Sequence, residues 1–402
     1  MTNRRLFLKS SAIAMFGVGT APAWLSRALY AADAPSPRKR VLIAIFQRGA
    51  VDGLNVVVPY GEKRYYEIRP NIAIPKPGTG AGAAIDLDGF FGLHPALQPL
   101  EAIWKDKKLA VVTASGSPDP TRSHFDAQDY MESGTPGRKA TQDGWLNRAL
   151  PAGASPSSLR AVSLGPTLSR TLRGPRDAVA INNLKDFKIP DARLSDTFES
   201  MYAASLDNVM HGTGKETFNA VRTVQTVEKN EYTPSNGAEY PQTKFGQSMQ
   251  QIARLIKANV GLEVAFADST GWDTHVNETP QLNNLLRDFG GSLGAFYRDM
   301  GDRMADVTLV TMSEFGRTAR ENGNRGTDHG HANSMLVIGG GVKGGKVHGE
   351  WPGLEPEQLY ENRDLAVTTD FRDVLSELVF KQLGTRAAVF PGYDKPNFRS
   401  LA

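Results

Sequence analysis

Two of the seven histidines in this chain, His329 and His331, lie beside Asp328 in a polar segment between two apolar stretches. Glu314 and Arg317 stand at the start of the same segment, directly after the first apolar stretch. Imidazole and carboxylate groups bind divalent metals and transfer protons. If the flanking strands are parallel, we expect both groups of residues at one edge of a sheet. The alternative is that they only hydrogen-bond within a loop.

A second group, Asp268, Asp273 and His275, lies in the stretch "FADSTGWDTH" after another apolar run. The turn is short enough to bring a carboxylate and an imidazole to one point. These side chains suit zinc, manganese or iron, and they also suit acid–base catalysis. A hydrogen-bonded loop is again the alternative.

A third stretch, "SPDPTRSHFDAQDYMESG", follows a strand-like run and is typical of a helix start. Thr121 or Ser123 lies near the N-cap, and His124 lies in the first turn. A helix N-terminus presents free N–H groups and a positive partial charge, so it can bind an oxyanion and favour ionisation of a nearby hydroxyl. Capping of the helix by a hydroxyl side chain is the simpler interpretation.

A fourth stretch, "FQRGAVDGLN", places Arg48 and Asp52 after the first apolar run of the chain. Asp52 could be a metal ligand while Arg48 binds an anion, or the two side chains could pair with each other. The sequence does not separate these interpretations.

The elements that must position these groups are apolar strands alternating with amphipathic helices. The strands predicted to share one sheet are residues 41–46, 109–113, 264–267, 308–311 and 335–338. This alternation predicts an α/β fold with a mainly parallel, doubly wound sheet and a ligand site at the carboxyl ends of its strands. We expect a single domain over residues 35–402, in which residues from about 186 to 242 form a helical insertion or cap.

Composition excludes some partners and some metal ligands. The chain has 46 Lys and Arg against 43 Asp and Glu, with no basic stripe of the kind that nucleic-acid binding requires. Nucleic acid is therefore not an expected partner. With no cysteine in the chain, metal ligands must come from His, Asp, Glu or hydroxyl oxygens.

The N-terminal residues 1–34 resemble a twin-arginine export signal. Arg4 and Arg5 are followed by Phe7, Leu8 and Lys9, which completes the RRxFLK pattern, and small residues end the segment. The apolar stretch is too short to span a membrane. We therefore expect a periplasmic or otherwise exported protein that uses this route, with the twin-arginine translocase as a partner during export. We expect no stable membrane span in the mature chain. An ordinary basic N-terminus is the alternative.

Taken together, five motifs resemble one family. They are "RGAVDGLNVVVPY", "SHFDAQDYMESG", "GWDTH", "SEFGRT" and "DHGHANSMLVIGGG". The family is DUF1501, exported bacterial proteins of unknown function assigned to the alkaline phosphatase and sulfatase-like superfamily. This resemblance implies a three-layer α/β/α sandwich of the alkaline phosphatase type.

The resemblance also implies a site. The implied metal ligands are Asp273, His275, Glu314, His329, His331 and Asp52. Ser123 or Thr121 would take the place of the nucleophile. Phe315 stands where the superfamily has a His, and Gln47 and Arg48 stand where it has an Asp. These departures predict an incomplete two-metal site, and they leave open one metal, an altered metal site or no metal.

The function expected on this basis is an exported, metal-dependent hydrolase of phosphate or sulfate esters, acting on a small or polymeric substrate. Zinc is the expected ion, with manganese and calcium as alternatives. Arg48 or Arg317 would neutralise the charge of the transferred group. A non-catalytic exported protein that binds a ligand or takes part in envelope assembly is the alternative. A redox enzyme with an organic cofactor is a third interpretation, which only the export route suggests.

Overall fold

The computed structural model describes residues 40–80, 82–152, 157–186, 208–229, 231–385, 389–394, 396–397 and 401. Lys39–Ala402 forms one compact unit. The predicted export signal and residues 187–207 of the predicted insertion lie outside the described residues. The single-domain boundary at residue 35 stays a prediction.

Twelve strands are present in the described part of the chain. They are β1 (Val41–Arg48), β2 (Val57–Val58), β3 (Ile85–Asp86), β4 (Gly92–Leu93), β5 (Leu109–Gly116), β6 (Ala161–Leu164), β7 (Val179–Ile181), β8 (Val264–Thr270), β9 (Val307–Met312), β10 (Asn333–Gly339), β11 (Lys346–His348) and β12 (Thr369–Asp370). Nine of them form the main sheet in the order β11-β5-β10-β9-β1-β8-β6-β7, with β12 also paired to β5. The other three form a small sheet in the order β2-β4-β3.

The helices are α1 (Gly53–Val56), α2 (Lys63–Ile68), α3 (Glu101–Lys105), α4 (His124–Ser133), α5 (Trp145–Ala149), α6 (Asn208–Lys229), α7 (Lys244–Lys257), α8 (Glu278–Met300) and α9 (Phe371–Leu383). Short 3-10 turns cover Pro95–Leu100, Arg170–Leu172, Leu184–Asp186, Gly301–Asp306 and Pro356–Gln358. Helix α6 lies within the range predicted as a helical insertion. No helix of the described residues combines the length and the apolar character that crossing a membrane requires.

Strand β1 shows why the sheet has a helical layer on each side. Its alternate side chains point to opposite faces, and both sets are buried over residues 41–46 because all six of these residues are apolar. Val41, Ile43 and Ile45 pack in a core that includes the apolar faces of α7 and α8. Leu42, Ala44 and Phe46 pack in a second core with α5 and α9. The predicted α/β sandwich is therefore confirmed.

The sheet is mainly parallel, as predicted, and all five predicted strands belong to it. Strand β1 pairs in parallel with β8 and β9, and β5 pairs in parallel with β11. Strand β10 is the exception, because it is antiparallel to both β5 and β9.

The direction of β10 decides where the long polar segment lies. Strands β9 and β10 are antiparallel, so the condition set for placing both groups of residues at one edge is not met. Two parallel strands would place the end of β9 and the start of β10 at opposite edges. Because β10 runs the other way, the segment leaves and re-enters the sheet at one edge. That edge also receives the carboxyl ends of β1, β5 and β8.

Candidate metal centre

Three chain segments meet at this edge of the sheet. His124 opens α4 after β5, Asp273 and His275 follow β8, and His329 lies between β9 and β10. The side chains of His124, Asp273 and His329 offer ligand atoms that all lie within 4.8 Å of one another. Among the described residues, this is the one group of three or more His, Asp or Glu side chains whose ligand atoms lie this close together.

The contacts in this cluster centre on imidazole Nε2 atoms. His329 Nε2 lies 2.9 Å from His124 Nε2 and 3.0 Å from His275 Nε2. Asp273 Oδ1 lies 2.9 Å from His275 Nε2 and 3.3 Å from His329 Nε2, and Asp273 Oδ2 lies 3.5 Å from His124 Nε2. Ligands around a tetrahedral zinc at 2.0–2.1 Å are separated by about 3.3 Å. The cluster therefore has the dimensions of a metal site.

The opposite ring nitrogen of each imidazole faces an acceptor. His124 Nδ1 lies 2.8 Å from Glu314 Oε1, His329 Nδ1 lies 3.0 Å from the Arg122 carbonyl, and His275 Nδ1 lies 3.2 Å from Asp328 Oδ1. For His124 and His329, an acceptor at Nδ1 favours the proton on that nitrogen, so Nε2 presents its lone pair to the cluster. His275 has an acceptor at each ring nitrogen, Asp328 Oδ1 at Nδ1 and Asp273 Oδ1 at Nε2. Lone pairs about 3 Å apart repel each other, and a proton or a metal ion between them removes the repulsion.

Glu314 is the acceptor that orients His124, and it is 1% exposed. Its Oε1 also accepts hydrogen bonds from Gly49 N and Gln128 Nε2, both at 2.8 Å. Burial alone would raise the pKa of Glu314, but these donors and His124 lower it below its usual value. The hydrogen bond to Glu314 raises the pKa of His124. Glu314 was predicted as a direct ligand. In the structure it contacts His124 Nδ1, on the side of the ring that faces away from the cluster.

Burial lowers the pKa of His329, and the neighbouring charge of His124 lowers it further. Both effects favour the neutral His329 ring, which is the form of imidazole that binds a metal ion. The metal fits the donor set, because nitrogen and carboxylate oxygen ligands of this kind are those that zinc accepts.

Asp273 is held in place by Arg317, whose side chain is 1% exposed. The guanidinium donates to Asp273 Oδ1 and to the backbone carbonyls of Gly49, Ala50, Trp272 and Thr327. Burial alone would raise the pKa of Asp273, but Arg317 lowers it below its usual value. The donors of Arg317 are occupied by the protein, so this residue positions Asp273 and is not free to bind an anion.

Gly49 allows β1 to end close against the loop that carries Asp273. Its φ is +117°, and a Cβ atom there would lie 2.7 Å from Asp273 N. A side chain at this position would push the loop away from the sheet. Gly49 therefore allows the loop that carries Asp273, a distant segment of the chain, to pack directly against the end of β1.

Arg48 and Asp52 have separate partners, so the structure supports neither interpretation made from the sequence. Arg48 Nε binds Asp268 Oδ1 at 2.6 Å, and its Nη2 binds Glu132 Oε1 at 3.2 Å. Asp52 is fully buried and accepts from Arg69 Nη2 at 3.0 Å. Because Arg69 directly follows α2, which the sequence did not connect with Asp52, this pair could not be foreseen.

The chain matches a family model over residues 104–385, and that family is described as a protein of unknown function, DUF1501. The chain belongs to the DUF1501 family. The predicted membership is therefore confirmed. Among curated proteins, none matches this chain.

Several solved structures are similar to this DUF1501 chain. The C-terminal periplasmic domain of EcEptC from Escherichia coli, in complex with Zn, is 9% identical over 76% of this chain and 74% of that chain, with a TM-score of 0.35. PsFucS1 sulfatase from Pseudoalteromonas sp. is 12% identical over 93% and 72%, with a TM-score of 0.37. The lipoteichoic acid synthase LtaP from Listeria monocytogenes is 9% identical over 88% and 74%, with a TM-score of 0.36. Similarity at this level assigns no substrate and no metal to the DUF1501 chain.

The structure separates the two histidines that the sequence could not rank. His329 belongs to the cluster, whereas His331 is 7% exposed and stacks on Tyr360 with ring centroids 4.5 Å apart. Burial lowers the pKa of His331. Among the predicted hydroxyls, Ser123 is exposed and occupies the N-cap of α4 without a capping bond from its side chain. Thr121 Oγ1 accepts from Ser123 N at 3.2 Å.

His124 is the cluster member that the sequence did not identify as a metal ligand. It was placed in the first turn of a helix and considered only as a neighbour of the oxyanion site. The available signal was its position after β5, whose carboxyl end lies at the same edge as those of β1 and β8. Phe125 and Val276, the residues after His124 and His275, are 90% and 54% exposed, so this edge of the sheet is open to solvent.

Proposed function

We propose that this protein is an exported, metal-dependent hydrolase of phosphate or sulfate esters. The observation that carries the proposal is the convergence of the Nε2 atoms of His124, His275 and His329 on one another and on Asp273. A hydrogen-bond acceptor at each Nδ1 fixes these rings. Export by the twin-arginine route is part of the proposal and rests on the N-terminal sequence alone.

Zinc is the ion that this donor set favours. Three imidazoles and one carboxylate are typical zinc ligands, whereas calcium prefers oxygen ligands throughout. His124, Asp273 and His329 would hold the ion, and His275 lies against two of them. A divalent cation here would polarise an ester oxygen and stabilise an alkoxide.

The chain itself supplies a nucleophile candidate beside this cluster. Ser123 directly precedes His124, its side chain is exposed, and the N-terminus of α4 favours a negative charge on its oxygen. Glu314 keeps the His124 ring oriented, because its Oε1 is held by Gly49 N at 2.8 Å and contacts His124 Nδ1 at 2.8 Å. We assign the attack on the ester to Ser123 and keep Thr121 as the second candidate.

One observation favours a second function, a metal-binding protein without catalysis. The two arginines predicted to neutralise the transferred group, Arg48 and Arg317, both have protein partners. Neither of these two arginines would then compensate the charge of a phosphoryl or sulfuryl group. A ligand-binding or assembly role on the same site would need no further cationic side chain.

Zinc binding and ester hydrolysis, measured in sequence, test both functions. Protein stripped with chelator is titrated with zinc by calorimetry, comparing the parent with His329→Ala and with His331→Ala. We expect one zinc per chain in the parent and in His331→Ala, and strongly weakened binding in His329→Ala. His331 is a matched control because it lies two residues away, outside the cluster. Equal binding by His329→Ala and the parent would refute the site.

Hydrolysis of phosphate and sulfate esters is then screened with zinc-loaded parent and Ser123→Ala protein. The hydrolase proposal predicts turnover by the parent and its loss in Ser123→Ala, with zinc affinity retained in that variant. Zinc binding without turnover of either ester class would leave the metal-binding function ahead.

A further inference from the structure

Asp364 is a buried carboxylate outside the metal cluster, and it joins two arginines. Its Oδ2 accepts hydrogen bonds from Arg122 Nε at 3.0 Å and Arg122 Nη2 at 2.6 Å, and Arg363 Nη1 lies 3.3 Å away. The side chain of Asp364 is 0% exposed. Among the described residues its Oδ1 has no hydrogen-bond partner, so the two arginines provide the compensation for this buried charge.

Both arginines hold His329 by different atoms. The backbone carbonyl of Arg122 accepts from His329 Nδ1 at 3.0 Å, and Arg363 Nη2 donates to the backbone carbonyl of His329 at 2.8 Å. One contact therefore fixes the ring and its tautomer, and the other fixes the main chain that carries the ring.

The segment of Asp364 is itself fixed by backbone contacts. Tyr360 and Asp364 exchange a pair of backbone hydrogen bonds at 2.8 and 3.0 Å, and Asp364 also forms a bridge with Thr318. Thr318 lies beside Arg317, the residue that positions Asp273. Asp364 thus sits on a rigid turn that is tied to the same polar segment as the cluster.

We infer that Asp364 is a positioning residue for His329, and that it acts through Arg122 and Arg363. By placing the carbonyl of Arg122 against Nδ1, it keeps the proton on that nitrogen and the lone pair of Nε2 directed at the cluster. The inference concerns the state of the His329 ring in the protein itself. Only its effect on metal affinity rests on the proposed function.

Glu361 provides a matched control. It also binds Arg122, with Nη2 to Oε2 at 2.7 Å, but its side chain is 54% exposed. A contact of this kind at the surface contributes little, since water solvates both charges when the contact is lost. Substitution of Glu361 therefore removes a carboxylate from the same arginine without removing the buried anchor.

The test compares Asp364→Asn, Glu361→Gln and Arg363→Gln with the parent. In metal-free protein labelled with ¹⁵N-histidine, the ring nitrogen shifts report which nitrogen of His329 carries the proton. We expect the Nδ1–H tautomer in the parent and in Glu361→Gln, and a mixture of tautomers in Asp364→Asn. Zinc titration should show about 10- to 100-fold weaker binding for Asp364→Asn, as is usual when a group that orients a ligand is lost.

Cobalt(II) spectra provide a readout that a purely structural role would not change. Asp364→Asn should alter the visible absorption of the bound cobalt, because the ligand geometry changes, while Glu361→Gln should match the parent. If Asp364→Asn does not fold, Arg363→Gln still tests the inference. Arg363 is 40% exposed, and its loss should shift the tautomer of His329 or the zinc affinity in the same direction as Asp364→Asn.

Two results would overturn the inference. One is an unchanged His329 tautomer in folded Asp364→Asn and in Arg363→Gln. The other is an equal loss in Glu361→Gln and Asp364→Asn, which would mean that any charge near Arg122 suffices. If the parent binds no zinc, the proposed function fails, and the tautomer measurement still decides the role of Asp364.

Discussion

The substitution Glu314→Gln distinguishes an orienting group from a direct metal ligand. In the structure the Glu314 carboxylate contacts His124 Nδ1, and the cluster faces the other ring nitrogen. Glutamine keeps an oxygen that accepts from His124 and from Gly49 N. Its amide would donate to Ser313 Oγ, which has the Gln47 carbonyl as its own acceptor at 2.7 Å. The variant should therefore fold.

The magnitude follows from what the glutamine cannot supply. It removes the negative charge beside His124, and charged hydrogen bonds are about twice as strong as neutral ones. Loss of such an orienting group typically weakens metal binding by about 10- to 100-fold, which corresponds to about 1.4 to 2.7 kcal/mol. Removal of a direct ligand should cost far more, because the coordination shell is then incomplete.

Zinc affinity is measured by competition with a chelator of known affinity, and the folding of each metal-free variant is checked by thermal unfolding. Gln128→Met is the control, since Gln128 donates to the same Glu314 oxygen and its contact is not with an imidazole. We expect the zinc affinity of Gln128→Met to stay within about threefold of the parent, a much smaller change than the loss of an orienting group causes. An affinity of Glu314→Gln equal to that of the parent would refute the orienting role, and a loss far beyond 100-fold would identify Glu314 as a ligand.

Three further predictions concern stability and export. Arg317→Gln should lower the free energy of unfolding of the metal-free protein by roughly 3 to 5 kcal/mol, because buried acceptors lose their donor; a change below about 1 kcal/mol in urea unfolding would contradict this. Burial lowers the pKa of His94 to about 4. The contribution of His94 to the free energy of unfolding should therefore be fully present above about pH 6.5 and should fall by up to about 3 kcal/mol as the pH drops towards 4. In this range only the unfolded chain takes up the proton. His94→Asn should flatten that part of the stability profile, and an unchanged slope would exclude His94 as its source. Replacing Arg4 and Arg5 with Lys should keep the precursor in the cytoplasm, as assayed by cell fractionation, and normal periplasmic delivery would remove the twin-arginine assignment.

The strands could be predicted because each is buried on both faces. A run such as residues 41–46 has no polar alternation, which is typical of a central strand in a parallel sheet. The direction of β10 could not be predicted in the same way, because an apolar run reads alike in either direction. The polar segment does lie at one edge of the sheet, although the condition given for this, a parallel pair of flanking strands, is not met.

The site could be predicted only in part, for a related reason. Residue type identified Asp273, His275 and His329 as metal-ligand candidates, and the structure brings them together. Type alone could not tell His329 from His331, because the difference lies in which ring stacks on Tyr360. Residue type also could not show that the Arg317 guanidinium donates to backbone carbonyls, because those carbonyls come from three separate loops.

The antiparallel strand β10 also bears on the order in which the molecule assembles. Strands β9 and β10 are neighbours in sequence, so their pairing closes a short loop and can form early. His124, by contrast, lies 205 residues from His329, and Asp273 lies 56 residues from it. The proposed cation site is then completed only when the remote strands have joined the sheet, and an unfolded chain offers no such site. Under the proposed twin-arginine export the chain would cross the membrane already folded. The site would then exist before export, and the compartment of synthesis would decide which metals it meets first.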